Sequence, residues 1–461
     1  MRSGNRARIL NLGAGFAGVE TARRLARFFP REPDAEITLV DQNSFLLFTP
    51  MLIEVLGGQV EMLHIMSPAR RLSKRITFLQ GRVGSIDLAA RQVTITIGGT
   101  GLGDPPTERV LEANHLVIAL GSIPNFYGIP GLQQNCLTMK SVCDAVEIRN
   151  RALALLERAN AEPDPEERRR LLTFVVGGGG FSGVETAAAL HDLVHNASAY
   201  YPNIEAGDHK IMLIEALGQL LPELTSDLAE YALRKLQDYG TEVMLNTKIV
   251  EAGPDYVQLD QGRRIRTGTV IWTGGVSPVS IVSKPACKWG RHGGIITEPT
   301  CRVLDYEGVW AIGDCAEIPQ PGSDAPYAPT AQNAVREGRH TARNIHASLC
   351  GKPLKPFVYR PFGELVALGK RSGVASIRGI HLSGFPAWFM WRTVYLAKLP
   401  RLVQRIRVGI DWTLDLVFGR EIVEMPSECV VAGIFDLATG QTPRHSERSE
   451  ESDRDSSLRS E

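Results

Sequence analysis

The chain lacks the long apolar run that a membrane-spanning helix needs. No stretch of about 18 consecutive apolar residues occurs in its 461 residues, so a spanning helix is not expected. A charge excess is also missing, because Lys+Arg and Asp+Glu both total 51. Global charge therefore gives no reason to expect nucleic acid as a partner. The length allows two or three domains with large cores.

Cysteine is sparse, and its positions exclude several kinds of site. The seven cysteines are scattered, none stands in a CxxC pair, and no paired metal-ligand spacing occurs. This pattern favours a reducing compartment and predicts no metal site. The N-terminus lacks the apolar stretch of a signal peptide, so we expect the mature protein to start near Met1.

Two glycine-rich turns with nearly the same sequence are present, at 13–22 and 178–187. Each follows a short apolar run and opens an Ala/Leu-rich helical stretch, which is the context of a dinucleotide fingerprint. The first glycine permits a tight bend, the second lets the backbone approach a pyrophosphate, and the third lets helix pack on strand. The phosphates then face a helix N-terminus. The pair predicts two bound dinucleotides, whereas a single fingerprint would also fit glycines that serve only turns and packing.

An acid closes the strand that follows each turn. Asp41 ends the apolar run 37–41, and Glu215 ends the run 211–215. A carboxylate there can accept hydrogen bonds from a ribose diol and disfavours a 2′-phosphate. Glu215 therefore predicts NADH rather than NADPH at the second site, a preference that a nearby Arg or Lys would weaken.

Three further apolar runs end at glycines. The run 116–120 reaches Gly121, and 270–273 precedes Gly274 and Gly275, which suggests close backbone approach to a cofactor. The run 309–312 closes on Gly313 and Asp314. A carboxylate at this place can hydrogen-bond the ribityl chain of a flavin, while a plain turn is the alternative interpretation.

Together these features resemble the two-dinucleotide flavoprotein disulfide reductase superfamily, in which FAD occupies the first fold and NAD(P)H the second. The resemblance spans about residues 8–370 and implies an α/β protein with two Rossmann-like domains. Thiol-using members need CxxC or CxxxxC near the flavin, and neither spacing occurs here. Cys136 and Cys143, separated by six residues, are interpreted as small apolar fillers. Electrons are expected to leave without a thiol.

A more specific resemblance lies in 328–338, which is similar to the AQxA quinone-site motif of type II NADH dehydrogenases. The stretches 49–52 and 272–276, and the sequence of the second turn, agree with the same family. The resemblance implies a quinone site, with residues Pro50, Ala331, Gln332 and Arg336. Many members have a second glutamine where this chain has Arg336, which affects quinone type and affinity. Alternatively, Gln332 is an ordinary helix N-terminal amide that caps backbone groups.

The same resemblance implies the other site residues. FAD is expected to contact Gly13, Gly15, Gly18, Asp41, Ala119, Gly121, Gly313 and Asp314. NADH is expected to contact Gly178, Gly180, Phe181, Gly183, Glu215 and Gly275. Glu185 and Gln332 are the catalytic candidates, since Glu185 matches a family glutamate placed where the nicotinamide, flavin and quinone sites converge. Glu20, its equivalent in the first repeat, is expected to satisfy backbone or phosphate-side groups without a redox role.

The C-terminal part is aromatic-rich at 385–399 and apolar again at 410–418. Residues 385–420 carry six cations against two acids, a net +4. Trp and Phe suit a lipid interface, and Arg or Lys can pair with anionic headgroups, so we predict an amphipathic membrane-attachment region. Packing against the globular body, or a homodimer interface, is the alternative. The resemblance favours attachment, with a location at the cytoplasmic face of the cell membrane. The polar tail lacks the apolar content for a core.

The predicted organisation has five parts. They are a first FAD-binding segment (1–125), an NADH-binding domain (126–285), a second FAD-binding segment with the quinone motif (286–370), the membrane-attachment region (371–440) and a disordered tail (441–461). The implied function is an FAD-dependent NADH:quinone oxidoreductase that pumps no ions. The competing readings are a related flavoprotein that uses sulfide, a thiol or a soluble acceptor, and an NADH-binding redox sensor similar to apoptosis-inducing factor.

Overall fold

The computed structural model describes residues 6–31, 34–98, 105–205, 207–283, 286–420 and 422–424. The predicted tail 441–461 and the last part of the membrane-attachment region, 425–440, lie outside the described residues. The α-helices are α1 (Phe16–Phe28), α2 (Leu52–Leu56), α3 (Leu132–Asn135), α4 (Val142–Ala161), α5 (Pro165–Leu171), α6 (Phe181–Ser198), α7 (Ser226–Asp238), α8 (Ala331–Leu349), α9 (Phe385–Lys398) and α10 (Leu402–Phe418).

The strands alternate with these helices along the chain. In the first half of the chain they are β1 (Ala7–Leu12), β2 (Ala35–Asp41), β3 (Phe45–Leu47), β4 (Met66–Pro68), β5 (Ile76–Gln80), β6 (Arg82–Asp87), β7 (Gln92–Ile97), β8 (Thr107–Glu112), β9 (His115–Ile118), β10 (Ser122–Pro124), β11 (Leu137–Thr138), β12 (Thr173–Gly177) and β13 (Lys210–Ile214). In the second half they are β14 (Glu242–Met244), β15 (Ile249–Ala252), β16 (Tyr256–Leu259), β17 (Arg264–Arg266), β18 (Thr269–Trp272), β19 (Val276–Pro278), β20 (Ile295–Ile296), β21 (Val309–Ala311), β22 (Ala316–Glu317), β23 (Gly363–Ala367), β24 (Gly373–Ile377) and β25 (Ile380–Ser383).

Two parallel sheets of five strands form the frame. One has the order β21-β9-β1-β2-β5 and the other β11-β18-β12-β13-β14. Each glycine-rich turn leaves the carboxyl end of a central strand, β1 or β12, where the strand order reverses. This is the place where doubly wound sheets bind ligands. The α/β fold with two Rossmann-like units, predicted from the sequence, is therefore confirmed.

The second sheet is inserted into the first, because β21 returns to pair with β9 only after the second sheet is complete. The antiparallel pair β10–β19 accompanies the two crossings between them. Helix α8 then packs on α1 so closely that a Cβ on Gly338 would overlap the carbonyl oxygen of Ala17. This contact brings α8, which carries the quinone motif, against the helix of the first glycine turn.

One stretch is more regular than its composition indicated. Residues 157–170 are rich in charge and contain two prolines, yet they are mostly helical, since α4 continues to Ala161 and α5 starts at Pro165. Asp164 caps α5 by accepting a hydrogen bond from the Glu166 N–H at 3.0 Å. Proline is tolerated at the first helical position because no intrahelical N–H bond is lost there.

The C-terminal part begins with a small antiparallel sheet of β23, β24 and β25. The boundary predicted at 370/371 falls between β23 and β24, two directly paired strands. Helices α9 and α10 follow. Within the described ranges no helix has both the length and the apolar character to cross a bilayer.

Candidate functional site

The first glycine turn contains two tightly packed glycines, Gly13 and Gly18, and one glycine with open space beside it, Gly15. Gly13 has φ +103°, and a Cβ on it would overlap the Ala119 carbonyl oxygen. A Cβ on Gly18 would overlap the carbonyl oxygen of Gly13. Around Gly15 nothing lies within 4 Å of an added Cβ, and Gly15 caps α1 without any side-chain hydrogen bond. The free N–H groups of that helix start suit a pyrophosphate.

The second turn repeats this arrangement. Gly178 has φ +106°, and a Cβ on Gly183 would overlap the carbonyl oxygen of Gly178. Gly180 is open on its outer side and caps α6, which starts at Phe181, without a side-chain bond. On the strand side, Gly275 has φ +142°, and its Cβ would lie 2.5 Å from the Tyr127 hydroxyl. The protein therefore offers two separate cradles that fit dinucleotides.

The two predicted ribose acids occupy equivalent positions. Asp41 accepts the Ala14 N–H at 2.5 Å, and Glu215 accepts the Gly179 N–H at 2.5 Å. Burial raises the pKa of Asp41 above its ordinary value, and the N–H bond from Ala14 opposes that effect. Because each carboxylate oxygen has more than one lone pair, both acids can still accept a ribose hydroxyl. Both also hold the glycine turn in place.

Gly313 and Asp314 lie in a short 3₁₀ helix after β21, beside the start of α1. Asp314 Oδ2 accepts the Ser122 hydroxyl at 2.6 Å and lies 3.4 Å from the Lys140 ammonium. Gly121, with φ +73°, has open space around an added Cβ. These residues fit a polar ligand that passes the end of the first sheet, as expected for the flavin side.

Glu337 joins this group, although sequence reasoning missed it. Its carboxylate accepts the Gly313 N–H at 2.7 Å. Burial raises the pKa of Glu337 to about 7, and the Gly313 hydrogen bond partly opposes the shift. The available signal was an acid inside the 328–338 motif, one turn beyond Gln332. Glu337 fixes the loop that carries Asp314.

Glu185 is half-buried on α6, one turn after the second cradle. Ala367, the last residue of β23, donates its N–H to Oε1 at 3.0 Å. Desolvation raises the pKa of Glu185 to about 8, against the opposing effects of the Ala367 N–H and the Trp391 indole. Glu20, at the same place in the first repeat, instead forms an ion pair with Arg339 at 2.6 Å. Equivalent positions in the repeats therefore have different surroundings.

Gln332 is held by the segment that leads into β23. Its amide oxygen accepts the Tyr359 hydroxyl at 2.5 Å and the Phe362 N–H at 3.2 Å, and its Nε2 donates to the Gly363 carbonyl at 3.2 Å. One amide hydrogen is left for a ligand. Capping of α8 falls to Thr330, which accepts the Asn333 N–H.

The other quinone candidates lie on two different elements. Ala331 is the first residue of α8, and the exposed Arg336 places its guanidinium 5.2 Å from the centre of the Tyr359 ring. Pro50 lies in a 3₁₀ turn, Thr49–Met51, directly before α2. Gln332 and Arg336 thus share the Tyr359 side chain.

A row of aromatic rings connects the first glycine turn with α9. Phe16, the first residue of α1, lies 5.8 Å from Phe48 between ring centroids. Phe48 lies 6.2 Å from Tyr395, and Tyr395 lies 4.7 Å from Trp391. Desolvation raises the pKa of Tyr395, and the charge of Glu185 adds to the shift. These packed rings make the region between the first glycine turn and α9 apolar.

The C-terminal helices are attached to the body by buried charges. Arg392 is only 6% exposed; its guanidinium lies between the Trp388 and Trp412 rings, 4.4 and 4.5 Å from their centroids, and 3.6 Å from Glu54. The expectation that such cations and tryptophans face lipid is wrong for these residues. They turn inward because Glu54, on α2, is buried and requires a partner.

The opposite face of α10 is apolar and exposed. Its residues recur every three or four positions, which places them on one side of the helix. They are Leu402, Val403, Ile406, Ile410, Leu414, Val417 and Phe418. Phe385 and Phe389 on α9 are exposed as well. The amphipathic pattern predicted for this part of the chain is therefore present in α10.

The described cysteines offer no redox pair. Cys136, Cys143, Cys287, Cys301, Cys315 and Cys350 are all free thiols. Burial raises the pKa of Cys136 and of Cys315 to about 12, which disfavours the reactive thiolate. Cys429 lies outside the described residues. The interpretation of Cys136 as a filler agrees with this environment.

Comparison with known proteins identifies the family of this chain. The pyridine nucleotide-disulphide oxidoreductase family matches residues 8–338, and the NDH2 C-terminal domain matches residues 362–421. A probable NADH dehydrogenase of Dictyostelium discoideum is 33% identical over 394 residues, which cover 84% of this chain and 85% of that protein. The type II NADH:quinone oxidoreductase Ndh of Mycobacterium tuberculosis is 28% identical over 431 residues, covering 90% and 89%.

Among solved structures, NDH2 from Plasmodium falciparum in complex with NADH has a TM-score of 0.82 at 19% identity, covering 91% of this chain and 100% of that one. At this identity the likeness establishes the fold. The sequence matches go further, because they span both cradles and the C-terminal helices. The chain belongs to the pyridine nucleotide-disulphide oxidoreductase family and, within it, to the type II NADH dehydrogenases.

Proposed function

We propose that this protein oxidises NADH and reduces a membrane quinone, with FAD as its bound redox cofactor and without ion pumping. The observation that carries the proposal is the path of β23. This strand begins at Gly363, which accepts a hydrogen bond from Gln332, and ends at Ala367, which donates to Glu185. A single short strand thus joins the helix of the NADH cradle to the helix of the quinone motif.

The chain divides the two nucleotides between its cradles. Gly13, Gly15, Gly18, Asp41, Ala119, Gly121, Gly313 and Asp314 would hold FAD. Gly178, Gly180, Phe181, Gly183, Glu215 and Gly275 would hold NADH. When bound, FAD supplies the acceptor for the nicotinamide hydride and the donor of two electrons to the quinone. The segments 1–125 and 286–370 would serve FAD, and 126–285 would serve NADH.

Glu185 would hold a proton for the reaction. With its pKa raised to about 8, the carboxyl group is mostly protonated at neutral pH. Since Oε1 accepts the Ala367 N–H, Oε2 is the atom that carries the proton. Reduction of a quinone to a quinol consumes two protons, and Glu185 lies beside α9 where an uncharged ring can approach.

The quinone would enter between Pro50 and the start of α8. The remaining amide hydrogen of Gln332 can donate to a quinone carbonyl without placing a charge in an apolar path. Ala331 has too small a side chain to obstruct that approach. Arg336 would replace the second family glutamine with a cation at the outer edge, next to Tyr359.

A lipid surface would cover α10. Its exposed apolar row is bordered by the exposed cations Arg405 and Arg407, which suit anionic headgroups. We place the protein at the cytoplasmic face of the cell membrane, with the 371–440 region as its attachment. A homodimer is part of this proposal and would be read from the sedimentation of the detergent-solubilised protein.

The first experiment is a quinone-dependent assay of the detergent-purified protein. After FAD is confirmed from its absorption spectrum, NADH oxidation is followed with and without short-chain ubiquinone, menaquinone or naphthoquinone analogues. We expect fast quinone-dependent oxidation, much slower with NADPH, that persists in cysteine-to-serine variants. If NADH bleaches the flavin and no quinone restores its colour, the quinone half of the proposal fails. If turnover is slow with every acceptor, a redox sensor is the better reading.

A further inference from the structure

Three histidines meet on the outer part of the NADH-binding unit. His191 and His195 lie one turn apart on α6, and His209 directly precedes β13. One ring nitrogen from each lies within 4.8 Å of those of the other two. The ring centroids are 5.5 to 5.9 Å apart. The fold therefore brings together a helical i, i+4 pair and one residue from a separate element.

The cluster opens into a cavity of about 420 Å³. The cavity is lined by the three histidines together with Gly207, Ile211, Asp238, Tyr239 and Gly240. The Tyr239 ring stacks on His191, with centroids 5.3 Å apart. A ligand held by the three rings would thus have access to solvent and a carboxylate, Asp238, on the cavity wall.

The hydrogen bonding of the cluster is incomplete. The Nδ1 atoms of His191 and His209 are buried, and neither has a hydrogen-bond partner among the described residues. Buried polar atoms are nearly always paired, so an unpaired one calls for a ligand or a functional reason. The carboxylate of the adjoining Asp192 has its Oδ1 at 3.8 Å from His191 Nδ1, which is beyond hydrogen-bond distance.

We propose that His191, His195 and His209 form a binding site for a divalent transition-metal ion of the zinc class. Neutral imidazoles are preferred ligands of Zn²⁺, Ni²⁺ and Cu²⁺, and two histidines at i, i+4 on one helix are a known zinc-binding arrangement. Three protein ligands leave a fourth position for water or for Asp238. The expectation of no metal site rested on cysteine spacing alone and did not consider this histidine pair.

Binding requires a small inward movement of the rings. Zn–N distances of about 2.1 Å in a tetrahedral site place the three nitrogens about 3.4 Å apart, closer than the present limit of 4.8 Å. His195 is exposed and free to rotate towards the other two rings. The movement needed is about 1 Å, within the range of side-chain rotation.

The site is separate from the redox chemistry. Glu185 and His191 are six residues apart on α6, about 9 Å along the helix axis. An ion at the cluster would link the last turns of α6 to the start of β13, and so would stabilise the NADH-binding unit rather than contact its substrate. Its effect should therefore appear in stability, while NADH oxidation continues without it.

The test uses the full chain without a histidine tag, after chelator treatment and with FAD bound. Co²⁺ titration followed by its visible absorption, and Zn²⁺ titration by calorimetry, should each give one site per chain and a raised unfolding temperature. Loss of an outer-shell partner already weakens metal affinity about 10- to 100-fold, so His209→Ala should weaken it about 100-fold or more. His292→Ala, which removes an exposed histidine outside the cluster, should leave it unchanged.

The second variant, His195→Gln, separates folding from binding. This residue is exposed, so the variant should keep its FAD and its NADH oxidation while it loses the Co²⁺ spectrum. The inference is overturned if wild-type protein binds neither ion, or if His195→Gln and His209→Ala bind as tightly as His292→Ala. Because FAD content and quinone turnover are measured separately, failure here leaves the proposed function untouched.

Discussion

The Trp412 indole N–H donates to the Glu54 carboxylate at 2.9 Å, across 358 positions of the chain. Glu54 belongs to α2, and Trp412 belongs to α10. Burial raises the pKa of Glu54, and the charge of Arg392 opposes that shift. One acid therefore binds both C-terminal helices, α9 through Arg392 and α10 through Trp412.

Removal of this acid should destabilise the protein strongly. In Glu54→Leu the Arg392 guanidinium stays buried without its anion, which costs about 3–5 kcal/mol. We expect a lower urea midpoint, followed by tryptophan fluorescence because Trp412 and Trp388 adjoin the site. Glu112→Gln, which breaks an exposed pair with Arg8, should change stability by less than about 1 kcal/mol. Equal effects of the two changes would contradict the anchoring role.

Glu185 should give quinone turnover a pH dependence. Since its carboxyl group titrates near pH 8, turnover should fall as the pH rises through about 8, where the proton is lost. Glu185→Gln should have a lower kcat and a flat profile in this range. The control is the bleaching of bound flavin by NADH without quinone, which should show no such profile. A wild-type profile retained in Glu185→Gln would exclude this group.

The raised pKa of Glu185 also predicts that the unfolding free energy depends on pH. In the unfolded chain Glu185 titrates near its ordinary 4.5, whereas in the folded protein it titrates near 8. The contribution of Glu185 to the unfolding free energy is complete below pH 4.5. It is lost progressively as the pH rises to about 8, because the carboxyl group ionises first in the unfolded state. The unfolding free energy of Glu185→Gln should decline less over this window than that of the wild type.

The two glycine cradles can be tested with single methyl groups. Gly15→Ala meets no protein atom within 4 Å, so the chain should fold but lose FAD. Gly180→Ala should keep FAD and raise the KM for NADH. Gly18→Ala overlaps the Gly13 carbonyl, so it should destabilise the apoprotein itself, by about 1–3 kcal/mol. Full FAD occupancy in Gly15→Ala would show that the phosphates lie elsewhere.

Glu215 and Asp41 should each affect the binding of a different nucleotide. Glu215→Gln removes the negative charge that repels a 2′-phosphate, so kcat/KM for NADPH relative to NADH should rise about tenfold or more. Asp41→Asn is the matched control in the first repeat. It should weaken FAD binding and leave the NADPH-to-NADH ratio unchanged. A changed ratio in Asp41→Asn alone would reverse the assignment of the two sites.

The outer face of α10 should control membrane binding. Two apolar side chains that enter a lipid interface contribute about 1.5 kcal/mol or more each, so Ile410→Asp with Leu414→Asp should weaken vesicle binding about 100-fold or more. The vesicles would contain phosphatidylglycerol and phosphatidylcholine. Val110→Asp, at an exposed apolar position on β8, should bind normally. Turnover with a water-soluble quinone analogue should persist in all variants.

The parts that sequence predicted well are those set by local pattern. The apolar runs that precede the glycine-rich turns are the central strands β1 and β12. The acids Asp41 and Glu215 lie at the strand ends beside the glycine turns, where each accepts a backbone N–H, while their predicted ribose contacts stay a prediction. Local chemistry decides these features, because the turn, the strand end and the acid are near neighbours in the chain.

The parts that sequence did not predict depend on distant partners. Burial raises the pKa of Glu337, and its carboxylate accepts the Gly313 N–H from a separate element, which no local pattern reveals. Composition counted Arg392 among lipid-facing cations, but a charge count does not tell which side of a helix a residue occupies. The histidine cluster needs both α6 and the approach to β13. In each case a contact between separate elements determines the role.

The repeated glutamates show where a duplicated motif acquires new chemistry. Glu20 and Glu185 stand in nearly identical sequences, yet Glu20 has a guanidinium at 2.6 Å, whereas Glu185 accepts a backbone N–H at 3.0 Å and faces the Trp391 indole. The guanidinium is a partner of the first copy, whereas burial raises the pKa of the second copy, Glu185, to about 8. The different roles of the two glutamates therefore depend on the side chains that later parts of the chain place beside each of them. To convert Glu20 into a proton donor, one would first replace its partner Arg339.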